Sequence, residues 1–202
     1  MSKVMRGLFT LALIFMFTTP GLCKELTTYA SFNVGVAMLQ DADLTDTTTP
    51  GIRYGYEYDP GYFVGVAVGN HVDKIRFEAE IGYQKNKVDS ISAYGLSASP
   101  TDDQEIRLTT LLFNLYYDFK NGSRFTPYVC GGLGLGNAKL DGASKSDSVA
   151  EYQVGAGMAF QINENIALDL KGRYLGTTDV EFDTYSLDFS TINAIFDVRI
   201  YF

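Results

Sequence analysis

The sequence predicts an all-β fold, an eight-stranded antiparallel up-and-down transmembrane β-barrel. Three observations carry this. Eight segments alternate apolar and polar residues over lengths near the roughly 9–11 residues that a tilted strand needs to cross a bilayer. The connections between them alternate short and long. The composition, with 20 Gly and 28 Tyr plus Phe in 202 residues and no Trp, favours strands and tight turns over helices.

The elements follow in order. The N-terminus stands apart: Lys3 and Arg6 precede an apolar run from Gly7 to Phe17 and a small-residue exit through Pro20, Gly21 and Cys23. That is the layout of a cleaved signal peptide over 1–23, too short for a spanning helix. Leu22 is a poor residue before a lipidated cysteine, so cleavage rather than lipidation is expected, and Cys130 then stands without a disulfide partner. The mature chain, 24–202, fits one domain.

The first strand sets Ala30, Phe32, Val34, Val36 and Met38 against Ser31, Asn33 and Gly35, and the second sets Tyr62, Val64, Val66 and Val68 against Phe63, Gly65 and Gly69. The third opposes Ile75, Phe77, Ala79, Ile81 and Tyr83 to Arg76, Glu78, Glu80 and Gln84. In the fourth, Leu111, Phe113, Leu115, Tyr117 and Phe119 oppose Leu112, Asn114, Tyr116 and Asp118. The fifth and sixth place Val129, Leu133 and Leu135, then Tyr152, Val154, Met158 and Phe160, opposite faces rich in glycine. The seventh opposes Leu168, Leu170 and Tyr174 to Asp169, Lys171 and Arg173. The last opposes Phe196, Val198, Ile200 and Phe202 to Asp197, Arg199 and Tyr201. A soluble domain buries the apolar face, whereas a membrane barrel turns it to lipid.

Short turns at 70–74, 120–124 and 163–165 alternate with polar stretches at about 41–51, 87–104, 137–148 and 176–187. Three turns and four loops place both termini on the periplasmic side of an outer membrane. On that topology Tyr83, Tyr152 and Tyr174 fall near the extracellular rim. Tyr117, Phe119, Phe160 and Phe202 fall near the periplasmic one, giving two interfacial girdles.

Eight strands leave room inside only for side chains. The inward list of Arg76, Glu78, Glu80, Asp118, Asp169, Lys171, Arg173, Asp197 and Arg199 holds four bases and five acids. Buried charges persist when paired, so a network is expected in which Asp169, Lys171 and Arg173 face Asp197 and Arg199. Gly65, Gly69, Gly132, Gly134, Gly155 and Gly157 make room for these long side chains.

The net charge of −8 argues against a nucleic-acid partner. No cofactor and no metal site is expected: the acidic loop residues, among them Asp179, Glu181, Asp183 and Glu105, read as solvated. His71, the single histidine, reads as a solvated turn residue on the wrong side for outer-leaflet or extracellular catalysis, so an enzyme is not expected. Tyr54, Tyr56, Tyr58 and Tyr62 mark a ridge above the bilayer, kinked at Asp59-Pro60-Gly61, fit for edge pairing or a girdle.

Three stretches resemble the small eight-stranded outer-membrane barrels grouped with outer-membrane proteins A and X, opacity-type surface antigens and the porin-family barrel domain. They are 125–136 (FTPYVCGGLGLG), 152–157 (YQVGAG) and 168–174 (LDLKGRY), and Val198, Ile200 and Phe202 are similar to the terminal assembly signal of such barrels. The resemblance implies residence in a Gram-negative outer membrane. The implied partners are lipids and lipopolysaccharide, the barrel-insertion machinery with periplasmic chaperones, and host or neighbouring surface molecules at the loops. The reading favoured is a non-enzymatic surface protein of adhesion and envelope integrity. A narrow ion or small-solute channel with a charged gate is the alternative, and a soluble lipocalin-like barrel a third.

Overall fold

The computed structural model describes residues 26–40, 42–45, 53–93, 96–98, 105–140, 147–177, 180–182, 185–187 and 190–202; the expected signal peptide lies outside them. The strands are β1 (Thr27–Leu39), β2 (Ala42–Thr45), β3 (Arg53–Tyr58), β4 (Gly61–Val72), β5 (Ile75–Ala93), β6 (Leu96–Ala98) and β7 (Glu105–Asp118). They continue as β8 (Phe125–Leu140), β9 (Asp147–Gln161), β10 (Ile166–Thr177), β11 (Val180–Phe182), β12 (Tyr185–Leu187) and β13 (Ser190–Tyr201).

Eight of these close a ring. The order β1-β4-β5-β7-β8-β9-β10-β13 is antiparallel throughout. The ring shuts where β13 pairs with β1, from Tyr29 opposite Tyr201 to Leu39 opposite Thr191. Closure removes the sheet edge, which in hydrocarbon would leave backbone groups unsatisfied at a cost of several kcal/mol each.

The faces are inverted relative to a soluble protein. Phe32, Val36, Val66, Phe77, Leu115, Val154, Leu170 and Phe196 stand exposed in a continuous outer belt, while the interior holds Arg, Lys, Glu, Asp, Asn and Gln together with tyrosines. An exposed apolar surface of that extent is tolerated only against lipid or a partner.

Three tight connections gather at one rim. Asp73, at φ 55°, makes the two-residue turn from β4 to β5 in the left-handed region that aspartate tolerates. The turn after β7 uses Gly122 at φ 75°, and Asn121 Oδ1 accepts hydrogen bonds from the Ser123 amide and hydroxyl. In the turn after β9, Asn163 Oδ1 accepts the Asn165 amide. The chain ends of β1 and β13 lie at this same rim.

The opposite rim is more ordered than its polar sequence predicts. β2 pairs with β3, β3 pairs with the upper half of β5 across a register shift at Glu57 and Tyr58, and β6 folds back on β5. A further hairpin joins β11 to β12. The stretches expected as loops therefore contain strands: a strand that clears the barrel still offers backbone groups to any neighbouring segment, and hairpins form there whatever the polarity of the side chains. The break between β3 and β4 falls at Asp59 and Pro60 as the sequence predicts, while the side chains of Tyr54, Tyr56 and Tyr58 lie outside the described residues.

Candidate functional site

The site is the filled lumen and the two aromatic rims that bound it. Period-two alternation turns Arg76, Glu78 and Glu80 of β5, Asp118 of β7, Asp169, Lys171 and Arg173 of β10, and Asp197 and Arg199 of β13 inward, and all nine are buried. Their contacts form tiers along the barrel axis.

Nearest the short-turn rim, Arg76 grips Asp118 with two nitrogens, Nε at 3.1 and 3.0 Å and Nη2 at 2.9 Å. Its guanidinium lies over the rings of Tyr116 and Tyr128, 4.3 and 4.6 Å from their centroids. His71 Nε2 stands 3.3 Å from the same Asp118. The histidine is thus the inward-facing penultimate residue of β4, half-buried against an acid, and not the solvated turn residue expected: the turn is the two residues 73–74 rather than the five of 70–74, so His71 stays in the ladder opposite Arg76. In the same tier Arg199 donates to Asp169 at 2.9 Å and lies 5.4 Å from the ring centroids of both Tyr29 and Tyr201.

Above it, the Glu78 carboxylate is held by neutral donors, the Tyr29 hydroxyl at 3.0 Å, the Tyr116 hydroxyl at 2.7 Å and Asn114 at 3.3 Å. Glu80, 0 % exposed, accepts from Arg173 Nη1 at 2.6 Å and stands 3.7 Å from Lys171 Nζ. Lys171 also reaches Asp197 at 3.5 Å. Arg173 therefore does not join Asp197 and Arg199, as the neighbouring-strand reading expected. Asn193 occupies the position directly opposite Arg173 on β13, so the guanidinium crosses the lumen to β5, over the face of Phe63 at 4.3 Å. The uppermost tier is built on amides: Gln84 donates to Asn86 and Thr191 and accepts from Asn193.

The inward glycines sit where large side chains need the space. A Cβ on Gly69 would lie 2.5 Å from the Tyr29 ring, and one on Gly157 would lie 2.5 Å from the Tyr128 hydroxyl. Gly155 lies against Cys130 and Arg173, and Gly132 against Asn114. Gly65 sits against the Phe63 ring, while Gly134 abuts the β7 backbone. Cys130 is a free thiol buried inside.

Two lumen residues escaped the charge list. Glu151 is buried at the β9 end of the lumen, and neither of its carboxylate oxygens has a hydrogen-bond partner among the described residues. Its place in the inward series 151-153-155-157 was the available signal. Gln153, from the same series, donates to Asn114 and accepts from Arg173 at 3.1 Å.

The rims carry aromatic pairs. Tyr62 with Tyr83 and Tyr152 with Tyr174 lie 6.2 and 6.3 Å apart at the long-loop side. At the other, Tyr117 meets Phe119 at 5.1 Å and Phe125 meets Phe160 at 4.8 Å, with Phe202 exposed beside them. Tyr62 and Phe125 extend the sets expected from the sequence. Glu105, expected as a solvated loop acid, heads β7 and bridges Lys85 at 2.7 Å and Arg107 at 3.1 Å.

A closed eight-stranded antiparallel barrel with a charged interior, an apolar belt and aromatic rims is an integral outer-membrane β-barrel. The chain belongs to the outer membrane protein beta-barrel domain family, whose model matches residues 9–199. It is 29 % identical over 102 residues to outer membrane protein PagN of Salmonella typhimurium, a stretch covering 45 % of this chain and 43 % of that protein, so it spans less than half of that relative. Neisserial surface protein A superposes with a TM-score of 0.60 at 18 % identity, covering 89 % of this chain and all of that one. OprG from Pseudomonas aeruginosa gives 0.56 at 14 %, covering 88 % and 95 %; both show the shared fold. The short-turn rim and both chain ends of the barrel are periplasmic, and the long-loop rim is extracellular.

Proposed function

We propose that the chain is a non-enzymatic surface protein whose extracellular segments mediate adhesion or interaction, while its barrel adds to envelope integrity. The observation that carries this is β5. Its lipid-facing run ends at Tyr83, the ninth of 19 residues, and spanning takes about 9–11. The remaining ten residues, roughly 30 Å of strand, stand above the rim and carry β3 and β6. The lumen beneath is filled, so the surface on offer is outside rather than within. The Neisserial neighbour, by its name a surface protein, agrees with this reading. In support of the non-enzymatic part, His71 sits at the periplasmic mouth, engaged with Asp118.

Replacing 42–58 and 88–104 by short Gly-Ser turns tests the reading. The expected result is a barrel that keeps its heat-dependent gel mobility, while cells displaying it lose attachment to host-cell or neighbouring bacterial surfaces. Undiminished attachment by the trimmed protein would sink the proposal.

A second reading, a narrow ion or small-solute channel, rests on a separate observation. Buried polar atoms without hydrogen-bond partners among the described residues recur through the lumen, at Asp169 Oδ2, Asp197 Oδ1, Arg199 Nε, Arg173 Nε and both Glu151 oxygens. Such atoms are satisfied by water in an interior of this polarity. Reproducible unitary currents in a planar bilayer, abolished by altering Arg76, Glu78 or Arg199, would favour it.

For biogenesis, we take residues 1–23 as the signal peptide that delivers the chain to periplasmic chaperones. The outward face of the last strand, Val198, Ile200 and Phe202, serves as the signal read by the insertion machinery. Deleting Phe202 is expected to cut the assembled fraction in cells while leaving the unfolding temperature of the purified barrel almost unchanged. Equal assembly of the two proteins would remove that role. Mature barrels then contact lipid and lipopolysaccharide through the apolar belt and the two girdles.

A further inference from the structure

Asn121 is the one asparagine of the chain followed by glycine. It stands exposed in the periplasmic turn between β7 and β8. An asparagine carries a reaction partner within its own backbone, because the nitrogen of the next residue can close a five-membered ring onto the side-chain carbon Cγ. Where that next residue is glycine, no Cβ obstructs the approach. Other asparagines are held away from this reaction: Asn33, Asn86, Asn114 and Asn193 are buried inside the barrel, with their backbones fixed in the ladder.

Two features of the turn favour ring closure. The first is space. Residues 120–124 are all exposed, and a Cβ built on Gly122, at φ 75°, would meet nothing within 4 Å. The second is the surroundings of the side-chain oxygen. Asn121 Oδ1 accepts the Ser123 amide at 3.1 Å and lies 2.8 Å from the Ser123 hydroxyl. That hydroxyl is positioned in turn by the Phe125 amide, which donates to it at 3.1 Å, and its single proton is shared with the Phe125 carbonyl at 2.9 Å. Addition of a nucleophile to Cγ builds negative charge on Oδ1, so donors already aimed at that oxygen stabilise the addition.

We propose that Asn121 is a site of spontaneous modification, converted by water to aspartate and isoaspartate without an enzyme. The Gly122 nitrogen gives its proton to solvent and bonds to Cγ. The bond from Cγ to Nδ2 breaks, and that nitrogen takes up a proton and leaves as ammonia. Water then opens the resulting succinimide at either carbonyl, giving the aspartyl or the isoaspartyl residue. The net change is water in and ammonia out, with nothing oxidised or reduced. The product places a carboxylate between Lys120 and Arg124, and the isoaspartyl form lengthens the backbone of the turn by a carbon atom. The site belongs to the periplasmic rim, so it stands whether or not the extracellular segments adhere or the lumen conducts.

Asn163 supplies a control within the molecule. It lies exposed in the turn after β9 at the same rim, and its Oδ1 accepts the Asn165 amide at 2.9 Å. The residue after it is Glu164, whose Cβ crowds the attacking nitrogen, and Asn165 has no hydroxyl to offer.

The full chain, folded in detergent, is incubated in heavy-oxygen water across a range of pH. Peptides spanning the two asparagines are followed by mass spectrometry, and isoaspartate is counted with an isoaspartyl methyltransferase. Asn121 is expected to convert at least about tenfold faster than Asn163, a barrier lower by about 1.4 kcal/mol. Its rate should rise with pH, because the nitrogen attacks after losing its proton, and both products should appear. Gly122→Ala should bring the rate at Asn121 down to that at Asn163 in a barrel that keeps its heat-dependent gel mobility. Ser123→Ala keeps the glycine, removes the hydroxyl donor, and should slow conversion. Equal rates at Asn121 and Asn163 in the unaltered protein overturn the proposal without recourse to any variant. Faster conversion in Ser123→Ala would overturn the part given to Ser123, since its hydrogen bonds would then restrain the side chain instead of activating it.

Discussion

Glu80→Ala is expected to cost the barrel about 3–5 kcal/mol, the range for removing one partner of a buried ion pair. Glu80 is the acid for two cations, Arg173 at 2.6 Å and Lys171 at 3.7 Å. Arg173 then keeps only Gln153 and the Phe63 face, and Lys171 keeps Asp197. Neither cation can reach solvent without displacing a packed neighbour. The effect is read as a fall in the temperature at which the gel-mobility shift is lost, or in the urea midpoint of refolding in detergent. Combining Glu80→Met with Arg173→Met removes the pair together and should recover most of the loss, because a well-packed apolar pair replaces a buried ionic one at little cost. A single Glu80→Ala change that leaves the unfolding midpoint in place would show that the lumen solvates its charges well enough to dispense with pairing.

Leu170→Arg is the second large effect, and its sign separates a membrane protein from a soluble one. Leu170 is 65 % exposed on the outer face of β10, between Met158 and Phe196 on the adjoining strands and midway between the two girdles. In water, exchanging so exposed a leucine for arginine would be nearly neutral. In a bilayer it costs about 2–4 kcal/mol near the midplane. Folding into lipid vesicles is therefore expected to fall by about one and a half to three orders of magnitude in equilibrium constant. The same substitution at Met38, beside the extracellular rim, should cost less than about 1 kcal/mol. Equal effects at the two positions would contradict the orientation of the belt.

The contrast between those two sites shows what a linear sequence carries. Which face a residue takes was legible, since a period of two leaves only two choices and the apolar set picks one. That is why Arg76, Glu80 and Lys171 could be placed inside from the sequence alone. Which charges meet was not legible, because partners across a lumen depend on the tilt and stagger of eight strands together. Asp169 and Asp197, two acids, are directly opposed in the β10–β13 register, and each finds its cation on a diagonal. Arg173 finds its own on β5, across the barrel. The polar upper stretches misled for a different reason: β2, β3 and β6 form by pairing with β5, and hydrophobic alternation does not record an edge bond made above the membrane. His71 was misplaced because the turn has two residues rather than five, and that difference decided whether it faced water or Asp118.

The crossing of Arg173 to Glu80 has a consequence for how the molecule is made. The two residues are 93 positions apart, and the upper tier links Gln84 to Asn193 across 109. No hairpin, and no partial sheet of neighbouring strands, can form these contacts. Arg76–Asp118 and Asp169–Arg199 pair on neighbouring strands, but a half-inserted chain would carry Glu80 into the bilayer without Arg173 or Lys171, whose attraction appears only when the ring closes. Closure by the last stave thus completes the backbone ladder and the neutralisation of Glu80 together. Incomplete forms gain little, which predicts assembly in a single concerted step with no long-lived open sheet.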